Sequence, residues 1–131
     1  MRRLHFAVGV LTVADFLITG QLMRHHDPPM SALGDAARLL YRSRHIYILA
    51  SGLVNLMLGI YLRMEAAGWR RTPQAIGSVL VLASAALLTA AFAMEPARGF
   101  QAEMPWSSTG LYALFGGCML HLVSAKRSLE E

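Results

Sequence analysis

Cysteine is nearly absent: Cys118 is the single one in 131 residues, which excludes an internal disulfide framework and any cysteine-based zinc motif. Charge is scarce too, at 15% of residues, against 55% hydrophobic and a mean hydropathy of +0.43. That balance is too apolar for an ordinary soluble domain of this length. The chain has no Ser/His/Asp arrangement, phosphate-cradling glycine loop, HExxH or CxxC, so catalysis finds no motif to rest on. It also has no internal repeat, low-complexity tract or segment long enough for a second domain.

What it has instead is four apolar runs, at 4–23, 45–62, 74–94 and 106–125. Each approaches the roughly 20 residues that a spanning helix needs. The expected fold is therefore all-α: an integral membrane four-helix bundle forming one domain over residues 1–131. Asp15 is the only formally charged residue inside the runs, and their imidazoles, His5, His45 and His121, sit nearer an end than the middle. Arg24, His25, His26, Asp27, Pro28 and Pro29 stop the first run; Arg70, Arg71, Thr72 and Pro73 part the second from the third; Glu95, Pro96, Arg98 and Gly99 stop the third. In the long first connection, Ser31 is placed to cap a short helix from about Ala32 to Ser43, with Leu33, Ala36, Ala37 and Leu40 on one face. This helix is expected to lie along a membrane surface. The opening MRRLHFAVGVLTVADFL resembles a signal peptide, yet Asp15 interrupts its apolar run and no small-x-small site follows, so a retained helix is expected.

An even number of spans puts both termini on one side. Arg2, Arg3, Arg63, Arg70, Arg71, Lys126 and Arg127 fall there, against Arg24, Arg38, Arg42, Arg44 and Arg98 opposite, which predicts cytoplasmic termini. Tyr41, Tyr47, Tyr61, Trp69 and Trp106 lie near the ends of the runs, where amphipathic rings favour the headgroup layer. The pI of about 9.8 then reads as membrane anchoring rather than nucleic-acid binding, because the basic residues flank helices without forming a stripe.

Polar groups in hydrocarbon need partners, so each one reports on packing or on function. Thr12, Asp15 and Thr19 share one face of the first helix; Asn55 lies on the second with His45, Ser51, Gly52 and Gly59. Asp15 lies roughly 12 Å from the non-cytoplasmic surface if the first helix ends at Met23, and Asn55 roughly 15 Å if the second starts at His45. The two are therefore expected to meet in an intramembrane polar site. Gly77, Ser78, Ala85, Ala86, Ala90 and Ala93 on the third helix, and Gly110, Gly117, His121 and Ser124 on the fourth, suit close helix packing. Arg42, Arg44 and His45 precede the second span and Glu95 ends the third, so an arginine is expected to meet Glu95 in a charged rim on the non-cytoplasmic side. That rim reads either as a headgroup-level salt bridge or as an anion site.

His5 and His121 are the one histidine pair at similar depth on the terminal side and stand as candidate axial ligands of haem b. His25, His26 and Asp27, with His45, form an alternative nitrogen and oxygen metal set that needs a distant fourth member. No metal site is assigned and no cofactor is expected. RSRHIYILASGLVNLMLGIYL at 42–62 and FLITGQLM at 16–23 resemble stretches of uncharacterised small four-helix bacterial inner-membrane proteins. The resemblance implies that location and a compact bundle, and it carries no activity.

The functional expectation is a multi-pass inner-membrane protein of binding or accessory type, leaning away from catalysis. Its partners would be the lipid bilayer and either a second copy or a larger membrane complex. One alternative is a redox protein using haem b or quinone. A second is a minimal oligomeric transporter with Asp15 as its coupling carboxylate, although one copy shows no inverted repeat.

Overall fold

A computed structural model describes residues 1–63, 68–98 and 103–125. Gly99, Lys126 and Arg127, which entered the boundary and charge readings, lie outside these residues. The described chain is helical: α1 (Arg2–Arg24), α2 (Asp35–Tyr61), α3 (Arg71–Met94) and α4 (Pro105–Ser124), with single 3-10 turns at Met30–Ala32 and Pro96–Arg98. Pro73 in the first turn of α3 and Pro105 at the start of α4 cost no hydrogen bond, because first-turn N–H groups have no intrahelical acceptor.

One expected element is absent. Residues 32–43 do not form a separate surface helix; from Asp35 onward they are the first turns of α2, which runs unbroken for 27 residues. Ser31 falls in the 3-10 turn, and Gly34 takes the N-cap position instead. Leu40 explains the continuity: it is buried in the same stripe as Arg44, Ile48, Ser51, Gly52 and Asn55, so the buried face continues across the expected break.

The helices pair as two hairpins, α1 on α2 and α3 on α4, joined through α2 and α3; α1 and α3 touch only lightly. Glycine sets both hairpin crossings. A Cβ at Gly59 would lie 2.6 Å from the backbone of Phe6, and one at Gly117 would lie 2.7 Å from the carbonyl oxygen of Gly77. Any larger residue there forces the helices apart.

Inside and outside are inverted relative to a water-soluble bundle. Among the described residues, twelve polar or charged side chains are buried against nine hydrophobic ones, while Leu11, Leu17, Tyr112, Phe115, Leu122 and Val123 are each more than 60% exposed. α1, α2 and α3 are long and apolar enough to cross a membrane. The expected fourth span is weaker: α4 has 20 residues, but its first six, Pro105 to Gly110, contain no aliphatic side chain beyond the proline ring.

Candidate functional site

The buried polar residues form three groups. The first ties together the end of α3 and the starts of α2's buried stripe and of α4. Arg44 Nε donates to Glu95 Oε2 at 2.9 Å, its Nη1 to Ser43 Oγ at 2.9 Å, and its Nη2 to Ser107 Oγ at 3.1 Å and Met104 Sδ at 2.7 Å. The second oxygen of Glu95 accepts the Ser107 backbone N–H at 2.9 Å. Met104, the residue before α4, has no side-chain cap, so Glu95 caps α4 from another helix and meets its positive dipole end. Arg44 and Glu95 are 6% and 1% exposed. The expected arginine to Glu95 contact is thus made by Arg44, but as an internal clamp: four of its five N–H groups are used within the protein and the side chain is buried, which does not suit an outward-facing anion site. Arg42 is exposed and takes no part.

The second group lies between the hairpins toward the chain termini. Asn55 Nδ2 donates to the Ser51 carbonyl at 3.0 Å and the Val81 carbonyl at 3.3 Å, so its Oδ1 is the acceptor for His5 Nδ1 at 2.8 Å. That fixes the hydrogen of a neutral His5 on Nδ1 and leaves Nε2 as a lone pair, buried without a partner. His121 Nε2 lies 3.3 Å from Ser78 Oγ. Ser84 donates to the Val81 carbonyl at 2.7 Å, so its oxygen accepts the Ser51 hydroxyl at 2.9 Å.

The third group surrounds Asp15. Asp15 and Asn55 do not share a site: Asp15 Oδ2 accepts the Thr89 hydroxyl of α3 at 2.7 Å. Register and facing together keep them apart. Close approaches of Gly9 to Leu56, Val13 to Gly52 and Phe6 to Gly59 define one antiparallel alignment that sets Ala50 opposite Asp15. Asn55 is five residues beyond, roughly 7.5 Å along the axis; His5 reaches it across an equal offset from the other side, so what parts Asp15 from Asn55 is also that Asp15 turns toward Thr89 of α3. His45, from which the depth of Asn55 is counted, lies ten residues after α2 begins.

Thr12 and Thr19 turn back on their own helix. Thr12 donates to the Val8 carbonyl at 2.7 Å, and Thr19 to the Asp15 and Phe16 carbonyls at 2.9 and 3.0 Å. With its hydrogen so used, Thr19 Oγ1 accepts from His45 Nδ1 at 2.9 Å. His45 stacks on Phe16, centroids 4.0 Å apart. It belongs beside Asp15, not in a rim with Arg44.

Two cavities meet at Asp15 and Thr89. One, of about 550 Å³, runs between Val8, Leu11 and Thr12 of α1 and Leu82, Ala85, Ala86 and Ala90 of α3. The other, of about 490 Å³, extends the opposite way past Thr19, Leu22 and Met23 to His25, His26, Tyr41 and Phe92. Ala93 borders both. The cleft exists because α3 presents alanines where α1 would otherwise meet bulk. Thr89 and Tyr41 complete it; Thr89 carries no signal in the sequence beyond its position on a helix face, and Tyr41 signals only a ring at headgroup level.

His25 bonds the Gln21 carbonyl, while His26 bonds the Pro28 carbonyl and, at 3.3 Å, the Tyr41 hydroxyl. Among the described residues no three of His, Cys, Asp and Glu are grouped to hold a metal ion, so the His25, His26, Asp27 and His45 set is not assembled. The chain matches no known protein family, no curated protein and no solved structure.

Proposed function

We propose that this chain is a bacterial inner-membrane protein of binding or accessory type, crossing the bilayer four times with both termini in the cytoplasm, and that it takes up a small ligand in the cleft between α1 and α3. The inverted interior and the three long apolar helices support the membrane reading. α4 would cross as the fourth span because it is as long as α3's apolar run requires and packs along α3. The arginine count supports the orientation.

The observation that carries the binding reading is the half-buried Asp15 with Thr89 where two cavities join. Intramembrane carboxylates are costly and tend to mark ligand, proton or ion paths, and each cavity lies within the roughly 300–1,000 Å³ of ordinary small-molecule sites. A purely structural carboxylate would be enclosed as Glu95 is.

Native mass spectrometry of the detergent-extracted protein tests this. Wild type is expected to retain a small molecule that is lost when Ala93→Phe fills the junction. A filled variant that keeps the same adduct, or a wild type that carries none under any extraction, overturns the reading. Orientation is tested separately: alkaline phosphatase fused after Asp27 should be active and after Trp69 inactive, and the reverse pattern inverts the topology.

A further inference from the structure

Resting on that binding reading, we propose that the ligand is a lipophilic organic cation, a tertiary or quaternary ammonium or phosphonium, held by the Asp15 carboxylate in the cavity bordered by Tyr41 and Phe92.

Charge comes first. Asp15 Oδ2 accepts one hydroxyl hydrogen, from Thr89, and among the described residues Oδ1 accepts none. The arginine deepest in the bundle, Arg44, is committed to Glu95, Ser43 and Ser107, so it does not serve as the counter-charge. The nearest imidazole, His45, lies within electrostatic reach of Asp15 but makes no hydrogen bond to it among the described residues, its Nδ1 hydrogen going to Thr19 and its face to Phe16. A carboxylate so placed binds a cation more strongly than water would allow, because screening falls where solvent is excluded.

The cavity wall selects the kind of cation. Metal ions of the calcium or magnesium class require about six oxygen ligands, and this cavity supplies one carboxylate and three hydroxyls, of Thr19, Tyr41 and Thr89, two of which already donate within the protein. An organic cation needs no such shell. It needs a single negative charge, apolar wall and aromatic rings, whose quadrupoles attract diffuse positive charge. Leu22 and Met23 supply the wall, and Tyr41 and Phe92, edge to face with centroids 5.6 Å apart, supply the rings. At about 490 Å³ the cavity holds a bulky ion. Access fits as well: α1 and α3 touch only lightly, so a molecule dissolved in lipid can enter sideways between them.

Equilibrium dialysis in nonionic detergent, with tetraphenylphosphonium as probe and triphenylphosphine oxide as a neutral molecule of related shape, tests the proposal. Wild type is expected to bind the phosphonium saturably and at least tenfold more tightly than the oxide. Asp15→Asn should lose that margin, Asp15→Glu should keep most of it, and Ala93→Phe should lose both probes; far-UV circular dichroism checks that each variant remains helical. Two results overturn the inference in different ways. Equal binding of both probes, unchanged in Asp15→Asn but lost in Ala93→Phe, removes the cation and leaves the binding cleft. Binding of neither probe by wild type removes the cation, and the retained-adduct measurement then decides the cleft.

Discussion

The Arg44–Glu95 clamp and the Asp15–Thr89 cleft both bury carboxylates, and they do so in opposite ways. Glu95 receives a guanidinium hydrogen on one oxygen and a helix N-terminal amide on the other; Asp15 receives one hydroxyl and faces two cavities. Full satisfaction makes a charge part of the scaffold, because removing either partner strands the other in a medium that does not solvate it. Partial satisfaction leaves capacity for a ligand. Burial alone would have ranked the two the wrong way round, since Glu95 is the more enclosed.

The comparison breaks first at the clamp, where the largest loss is expected. Arg44→Leu or Glu95→Ala should each cost about 3–5 kcal/mol, the usual penalty for orphaning a buried charge, read as a lowered midpoint of thermal unfolding in detergent. Arg44→Gln with Glu95→Gln should be little worse than either single change, as expected for two groups acting as a unit. Fully additive losses would return Glu95 to the status of Asp15.

Glycine contacts come next. A Cβ at Gly117 meets the Gly77 carbonyl oxygen and Val81, whereas one at the neighbouring Gly116 finds its nearest atom, Leu80 Cδ1, at 4.0 Å. Gly117→Ala should therefore cost about 1–3 kcal/mol through overpacking, and Gly116→Ala should be neutral by the same unfolding measurement. Equal effects would mean that α3 and α4 are not packed through that seam.

Much of this scaffold could be read in advance, because its signals are local. Pro73 and Pro105 mark helix entries, small residues on α3 and α4 mark a close crossing, and charge-free runs mark the helices within a few residues of their observed ends, except at the start of α2, which lies ten residues before its run. Arg44 and Glu95 could be paired because sequential antiparallel helices bring the start of one beside the end of the other. The failures are failures of register and of facing. Residues 32–43 have the composition of a surface helix, and only the burial of Leu40 against its neighbours reveals that they prolong α2. Once α2 starts at Asp35, counting from His45 misplaces Asn55 against Asp15, and the true partners, Thr89 and His5, lie on faces that sequence spacing does not bring together.

At the cleft the stability effect should be small. Asp15→Leu removes a charge whose sole donor among the described residues, the Thr89 hydroxyl, can turn to a carbonyl of its own helix. A change within about 1 kcal/mol is expected, alongside loss of phosphonium binding. A loss as large as that of Glu95→Ala would show that Asp15 is structural after all and would collapse the contrast between the two carboxylates.

The smallest expected effect concerns His5, and it separates the binding reading from a redox one. A buried imidazole with its Nδ1 hydrogen given to Asn55 presents Nε2 as a ready lone pair, which is half of what a bis-histidine haem requires. The other candidate, His121, lies within electrostatic reach of His5 with its Nε2 at 3.3 Å from Ser78 Oγ, and neither histidine borders the cleft at Asp15. His5→Gln should thus leave the visible absorption spectrum of the haem-supplemented protein unchanged and featureless. It should also leave phosphonium binding intact, since His5 acts through Asn55 on the α2–α3 interface and not on Asp15. A Soret band in wild type that disappears in His5→Gln and in His121→Gln, but persists in His45→Gln, would place a haem at the terminal end of the bundle and make the redox protein the better reading.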